Sequence, residues 1–236
     1  MLHAATTRDI STNASLRKRG HLKLFKQVLC TVGVAIALAA FAAPASAGPV
    51  YTFSCITDNQ PGDCAIGEAQ LSMEVIDEGG GLVGFKFFNA VGEASSIADV
   101  YFDDDSLLGG SSITDSGVGV AFSAPATPPD LPGGGLSFTA TSSFDSDPPV
   151  VANGVSSATE WLEITFSLQS GGTYQDVIDA LGTGDLRVGL HVQGFQTGGS
   201  ESFISNPNPV PEPGTLLLLG AGLTGMVSAR RRRSNR

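Results

Sequence analysis

Residues 71–89 read LSMEVIDEGGGLVGFKFFN, and this stretch decides the fold class. In its first part apolar and polar residues alternate, with Leu71, Met73 and Val75 separated by Ser72 and Glu74. After the turn cluster 77–81 the alternation resumes and runs through Phe85, Lys86, Phe87, Phe88, Asn89 and Val91. A period of two predicts strands with one buried face, and a Gly-rich cluster between them predicts a turn.

Similar signals recur along the middle of the chain. Further strands are predicted at 50–56, 97–102, 118–122, 136–141, 161–168, 186–193 and 203–204, with turn clusters at 103–105, 125–135 and 145–149. One short helix is predicted after Thr173, which can cap it together with Asp176, and Gly182 is placed to end it. This pattern predicts an all-β domain, a jelly-roll-like β-sandwich, with an open barrel as the alternative.

The charge of the chain is divided among three segments. The formal net charge of −10 combines +5 in residues 1–47, −19 in residues 48–209 and +4 in residues 210–236. Basic ends around an acidic body exclude a cytosolic enzyme that folds end to end as one unit. Because the body would repel phosphates, nucleic acid is not expected as a partner.

The N-terminal segment has the three parts of a secretory signal peptide. Residues 17–26 are basic and residues 28–43 are apolar, and Ala45 and Ala47 then supply the small residues that a signal peptidase reads. We therefore expect residues 1–47 to form a signal helix that is removed by cleavage after Ala47.

Two of the three cysteines lie in the part predicted to be exported. Cys30 falls in the apolar segment, whereas Cys55 and Cys64 follow the cleavage site, nine positions apart. An isolated pair in an exported chain predicts a disulfide, and two free or metal-binding thiols are the alternative.

The C-terminal segment combines an apolar run with a basic end. Residues 215–229 carry no charge, and as a helix they would span about 22 Å, short of the ~30 Å hydrocarbon core. Such a helix can cross a membrane with local thinning and snorkelling of arginines. The residues that follow would stay in the cytoplasm and stop transfer: Arg230, Arg231, Arg232 and Arg233.

The order of these features resembles a known sorting signal. Pro211, Glu212 and Pro213, followed by the apolar run and the terminal arginines, look like the PEP-CTERM tail of Gram-negative bacteria that make exopolysaccharide. The resemblance covers residues 209–236. It implies that exosortase, a membrane cysteine protease or transpeptidase, recognises these three residues in its substrate. The body, at 101–104 and 186–203, is also similar to uncharacterised cores that carry this tail, which implies no activity.

The predicted organisation follows from these segments. A signal peptide (1–47) precedes the β-sandwich domain (48–205), a Pro-rich linker with the motif (206–214), a transmembrane helix (215–229) and a basic cytoplasmic tail (230–236). The prolines of the motif keep its backbone extended and outside the helix, and residues 206–209 form a stiff spacer before it.

The body offers few groups for catalysis. His191 is its single histidine, and Ser200 and Ser202 lie near it in a sequence that is not a nucleophile elbow. Trp161, beside Glu160 and Glu163, could line a sugar site, although core packing is the simpler interpretation. We therefore predict no catalytic residue and no cofactor.

Two acidic clusters are candidate Ca²⁺ ligands. They consist of Asp103, Asp104 and Asp105 and of Asp145 and Asp147. Neither has the EF-hand pattern, and solvated loops are the simpler interpretation. Whether a metal binds is left open.

These observations predict an exported, non-enzymatic protein. We expect transient anchoring in the inner membrane, processing by exosortase, and a final place at the cell surface or outside the cell, with exopolysaccharide as a possible partner. One alternative is a carbohydrate-binding module that uses Trp161, Tyr101 and Tyr174. A further alternative is a secreted hydrolase with His191 or a pair of carboxylates at its centre.

Overall fold

The computed structural model describes residues 48–90 and 92–210, and these fold mostly as antiparallel strands. The strands are β1 Val50–Cys55, β2 Leu71–Gly79, β3 Leu82–Asn89, β4 Ser96–Asp104, β5 Leu108–Asp115, β6 Phe122–Ser123, β7 Ser142–Ser146, β8 Trp161–Leu168, β9 Leu186–Gln193 and β10 Glu201–Ser205. The helices are α1 Asp63–Gln70, α2 Val150–Asn153 and α3 Tyr174–Thr183, with a 3₁₀ turn at Gly135–Ser137.

The ten strands form one continuous sheet in the order β5-β8-β3-β2-β1-β10-β9-β4-β7-β6. Strand β1 joins the first half-sheet (β5-β8-β3-β2) to the second half-sheet (β10-β9-β4-β7-β6), because Val50–Thr52 pairs with β2 whereas Phe53–Cys55 pairs with β10. The predicted all-β class is therefore confirmed. The two separate sheets of a sandwich are not found in the described residues, where the strands join into a single, nearly closed sheet.

The core lies between the two halves of the sheet. Phe85 and Phe166, from β3 and β8, meet Phe102 from β4 edge to face, with ring centroids 5.0 and 4.7 Å from that of Phe102. Phe144 from β7 completes the group at 6.1 Å. Each such fully buried side chain contributes about 1.5–3 kcal/mol to folding. Contacts across the core therefore hold the two halves face to face.

The predicted alternation of β8 and β9 is confirmed by burial. Leu162, Ile164 and Phe166 are fully buried, as are the alternate residues of β9. Glu163, Arg187 and His191 occupy the positions between them and are only half-buried. The outer face of both strands is therefore the face that carries polar and charged groups.

A loop covers part of the outer face of the second half-sheet. Leu131 and Phe138 from this loop, residues 124–141, pack with Tyr101 in a second, smaller apolar cluster. Gly189 of β9 permits the approach, since a Cβ there would lie 2.7 Å from Leu131 Cδ2. The strand predicted at 136–141 is wrong for this reason, because these residues belong to a covering loop and a 3₁₀ turn.

Other boundaries also differ from the prediction. The predicted strand 118–122 is a turn that ends in the two-residue β6, and β5 and β7 were not predicted because their sequences, LGGSSITD and SSFDS, are mostly polar. Helix α3 has the predicted capping box between Thr173 and Asp176. It ends at Thr183, however, and left-handed Gly184 (φ 84°) caps it instead of Gly182.

The predicted membrane segments lie outside the described residues. This applies to the signal helix within 1–47 and to the transmembrane helix 215–229 with its basic tail. Among the helices of 48–90 and 92–210, none has the length and apolar character needed to cross a membrane.

Candidate functional site

The described chain ends against the first strand of the sheet. Asn206 donates its backbone N–H to Thr52 O (2.9 Å), and its side chain contacts the hydroxyls of Ser54 and Thr52. Val210 forms a bridge with Val50 and donates its N–H to Val50 O at 2.7 Å. Residues 206–210 therefore run along β1, and the spacer that the sequence predicted is attached to the body.

The start of the described chain lies at the same corner. Gly48 donates its N–H to Glu74 Oε1 (2.9 Å), and Pro49 O accepts the N–H of Val75 (3.1 Å). Val50 then pairs with Glu74 on one side and with Val210 on the other. The predicted signal cleavage site (Ala45, Ala47) and the predicted sorting residues (Pro211, Glu212, Pro213) lie outside the described residues. In sequence, however, they directly precede and follow this corner.

The predicted disulfide is present. Cys55 at the end of β1 is bonded to Cys64 in the first turn of α1, with the two Cα atoms 5.4 Å apart. The bond fastens α1, a helix that was not predicted, to the end of the central strand β1 beside β10. The alternative of two free thiols is thereby set aside.

A fully buried carboxylate lies beside the disulfide. Glu201 of β10 accepts hydrogen bonds from the Thr57 hydroxyl and from the backbone N–H groups of Asp58 (2.9 Å) and Gln60 (2.8 Å). Burial raises the pKa of Glu201, but these donors outweigh it and hold the pKa below its ordinary value. Glu201 therefore fixes loop 57–60 against β10, a role that sequence analysis did not detect.

His191 pairs with an aspartate on the neighbouring strand. Its Nδ1 lies 2.7 Å from Asp99 Oδ2, and Asp99 is almost fully buried. Ser202 lies opposite His191 in the strand register, so the three residues form a row across β10, β9 and β4. Ser202 is only 1% exposed and no hydrogen bond joins its hydroxyl to His191 among the described residues. The row has the residue types of a hydrolytic triad without an accessible nucleophile.

Trp161 does not belong to the core. It starts β8 on the outer face, opposite Phe88 of β3, and it is half-buried. Lys86 Nζ lies 3.7 Å from the centroid of its ring and 3.3 Å from Glu163. Glu160 turns away and accepts hydrogen bonds from Ser156. The expectation of core packing is wrong because Leu162, Ile164 and Phe166 take the inward positions of the strand.

The carboxylates of the predicted Ca²⁺ clusters already have protein partners. Asp104 accepts the N–H groups of Leu107 and Leu108, both at 2.9 Å, and the Thr141 hydroxyl at 2.5 Å. Asp103 pairs with Arg187. Asp145 accepts from the N–H of Thr127, Asp147 accepts from the hydroxyl of Ser123, and Asp105 is exposed. These hydrogen bonds and the ion pair indicate that the acidic side chains of the two clusters hold neighbouring loops in place.

Open depressions lie on the described surface, and two of them have walls rich in polar residues. One of about 350 Å³ has Asp104, Asp105, Asp176 and Asp185 in its wall. The other, of about 440 Å³, lies where β5 faces β7, with Ser111, Thr141 and Ser143 in its wall. Neither wall contains a basic side chain or a histidine.

Comparisons with known proteins bear on the end of the chain. No curated protein and no solved structure matches this chain. Residues 209–233 match the PEP-CTERM protein-sorting motif, which confirms the resemblance read from the sequence. The matched residues begin at Pro209, directly before the Val210 bridge to β1. The chain thus carries a PEP-CTERM protein-sorting motif, which indicates an exported protein that exosortase sorts.

Proposed function

We propose that the protein is a non-enzymatic surface or matrix component of an exopolysaccharide-producing bacterium. In this proposal the signal peptide directs export and residues 215–229 anchor the chain briefly in the inner membrane. Exosortase then processes it near Pro211-Glu212-Pro213, and the body passes to the cell surface or the medium. The observation that carries the proposal is the match to the sorting motif at residues 209–233.

The described body gives two kinds of support for a non-catalytic role. Two of its four buried acids, Glu201 and Asp104, each accept several protein hydrogen bonds. The Asp99–His191 pair has as its neighbour a serine that solvent scarcely reaches. Hydrolysis needs an accessible nucleophile or water beside a base.

Mass spectrometry of the exported protein tests the sorting step. We expect mature molecules that begin at Gly48 and lack the residues after the motif. Replacing Pro211, Glu212 and Pro213 together by alanine should leave residues 214–236 on the chain and keep it in the membrane fraction. The matched control, Asn208→Ala, should be processed like the wild type. Mature wild-type molecules that all retain residues 214–236 would contradict the proposal.

A second candidate function is carbohydrate binding on the outer face of the first half-sheet. The observation that favours it is the position of Trp161 outside the core, opposite Phe88 and beside the Glu163–Lys86 pair. A half-exposed aromatic ring next to charged groups suits the apolar faces and hydroxyls of sugars.

Binding of the purified protein to exopolysaccharide from the producing cells tests this candidate. Trp161→Ala should lower retention on immobilised polysaccharide at least tenfold if the ring stacks on a sugar. The control Asp105→Asn, a change at an exposed acid between β4 and β5, should preserve retention. Equal retention of wild type and Trp161→Ala would exclude this face as the binding surface.

A further inference from the structure

A carboxylate of β2 contacts the nitrogen with which the mature chain is predicted to begin. Glu74 Oε1 accepts the N–H of Gly48 at 2.9 Å, and this is the one hydrogen bond to the Glu74 side chain among the described residues. When water cleaves the peptide bond between Ala47 and Gly48, the carboxylate stays on Ala47 and the amine on Gly48 takes up a proton at neutral pH. The nitrogen that Glu74 contacts then changes from an amide into an ammonium group.

Glu74 has no cation of its own in the described part of the chain. Lys86 lies opposite it in the strand register, but the Lys86 ammonium pairs with Glu163. Arg187, the other basic residue there, pairs with Asp103. An ammonium group on Gly48 would therefore be the partner that Glu74 lacks, because it adds the attraction of opposite charges to the hydrogen bond that the amide already makes.

We propose that Glu74 is the receptor for the α-ammonium group of Gly48, so that removal of the signal peptide forms an ion pair that fastens the start of β1 to β2. The proposal rests on the cleavage after Ala47 that is part of the proposed function. Before cleavage Glu74 accepts only an amide N–H, and the body lacks the ion pair. The body then reaches its full stability only after the signal peptide has been removed.

The backbone around Gly48 fixes the position of this nitrogen. A Cβ on residue 48 would lie 1.8 Å from Val75 O and 2.8 Å from Val75 C, so only glycine fits there. The next two residues continue the contact with β2, since Pro49 O accepts the N–H of Val75 at 3.1 Å and Val50 pairs with Glu74. Signal cleavage needs small residues before the cleaved bond. The need for glycine directly after that bond comes from the folded body.

Thermal unfolding in detergent at pH 7 tests the proposal with two chains. One chain begins at Gly48 and the other retains residues 43–47 before it, and each is released from a removable fusion partner and continues to Arg236. The longer chain has an amide at Gly48 and carries its ammonium group five residues away. The chain that begins at Gly48 should unfold at a midpoint about 2–4 °C higher. Equal midpoints would overturn the proposal.

Two variants show whether Glu74 causes the difference between the chains. Glu74→Gln keeps an oxygen that can accept a hydrogen bond from Gly48 but removes the charge, so its two chains should unfold at nearly the same midpoint. Glu78→Gln, a change at an exposed acid of the same strand, should keep the full difference. A difference of wild-type size in Glu74→Gln would overturn the proposal.

The Gly48 amine itself provides a measurement that needs no variant to fold. Its pKa can be obtained in the wild-type chain from the pH dependence of its acetylation rate, followed by mass spectrometry. The carboxylate of Glu74 stabilises the protonated amine, so this pKa should lie above the ordinary α-amino value of about 7.7–8.0. Of the ionisable groups near Glu74, Lys86 is paired, and Tyr174 stays neutral because burial raises its pKa to about 12. An ordinary pKa for the Gly48 amine would overturn the proposal.

Mass spectrometry of exported molecules separates this proposal from the sorting step. The first residue should be Gly48, and a different first residue would overturn the role of Glu74. Retention of residues 214–236 on molecules that begin at Gly48 would contradict sorting alone. The unfolding and acetylation measurements use purified chains of defined ends, so they do not depend on exosortase.

Discussion

The attachment of residues 206–210 to β1 predicts that the body restrains its own sorting motif. Four residues, such as Gly-Ser-Gly-Ser, inserted between Asn206 and Pro207 would leave the matched residues 209–233 unchanged. The insertion would end the fixed spacing that lets both Asn206 and Val210 contact β1. We expect faster processing, because the motif that follows Val210 is easier for a membrane protease to bind once Val210 has left the sheet.

The magnitude follows from the contacts of Val210. It donates one backbone hydrogen bond of 2.7 Å to Val50, and this bond sets a lower limit on the free energy of attachment. One such bond contributes about 0.5–1.5 kcal/mol net. The population of chains with Val210 attached to β1 then exceeds the population with Val210 free by roughly 2- to 13-fold. If exosortase acts on the free form, the insertion should raise the cleavage rate by the same factor.

Pulse-chase labelling in the producing cells measures that rate as the loss of the C-terminal segment. A matched control carries the same four residues next to Val118, which is fully exposed in the turn between β5 and β6 and lies outside residues 206–210. The control should be processed at the wild-type rate. An unchanged rate in the 206–207 insertion, or an equal increase in both insertions, would refute the restraint by β1.

Three further predictions concern the stability of the body, measured by urea unfolding. Phe102→Ala, at the centre of the aromatic group that joins the half-sheets, should cost about 3–5 kcal/mol, whereas Phe88→Ala on the outer face should cost clearly less. Gly189→Ala should cost about 1–3 kcal/mol, because the new Cβ would displace Leu131 and Phe138. Glu201 has a lowered pKa, so its contribution is present above the ordinary glutamate pKa and is lost as the pH falls through the lowered one. Glu201→Gln should flatten that acid dependence, and an unchanged pH profile would count against the role assigned to Glu201.

The strands that could be predicted are those with a strict apolar alternation. The segment 161–168 was predicted with its observed bounds because Leu162, Ile164 and Phe166 face a single core. Strand β5 escaped prediction, since an edge strand with mostly exposed serines and glycines lacks the alternation that a half-buried strand has. At 136–141 a strand was predicted where none exists. Phe138 belongs to the covering loop there, and it is buried against the outer face of the sheet.

The candidate sites also differ in whether a local sequence pattern marks them. A sorting motif is a local sequence pattern, so residues 209–233 could be recognised without a structure. Glu201 carried no local signal, because what distinguishes it is burial against loop 57–60, which lies far from it in the sequence. Trp161 was assigned to the core, although the alternation of β8 puts it on the outer face with Glu163 and leaves the inward positions to Leu162 and Ile164.

The acidic charge of the body bears on how the protein would leave the membrane in the sorting proposal. Lys86 and Arg187 are both paired with acids, so the surface of the described residues is strongly acidic. Only residues 211–214 separate Val210 from the predicted transmembrane helix, and they span at most about 14 Å. At full extension this distance is nearly twice the Debye length of about 8 Å at physiological salt, so repulsion from anionic lipid would act on the anchored body only where the linker holds it closer than that. In the sorting proposal, cleavage at the motif would release a strongly acidic body with little affinity for anionic lipid, which agrees with its transfer to the cell surface.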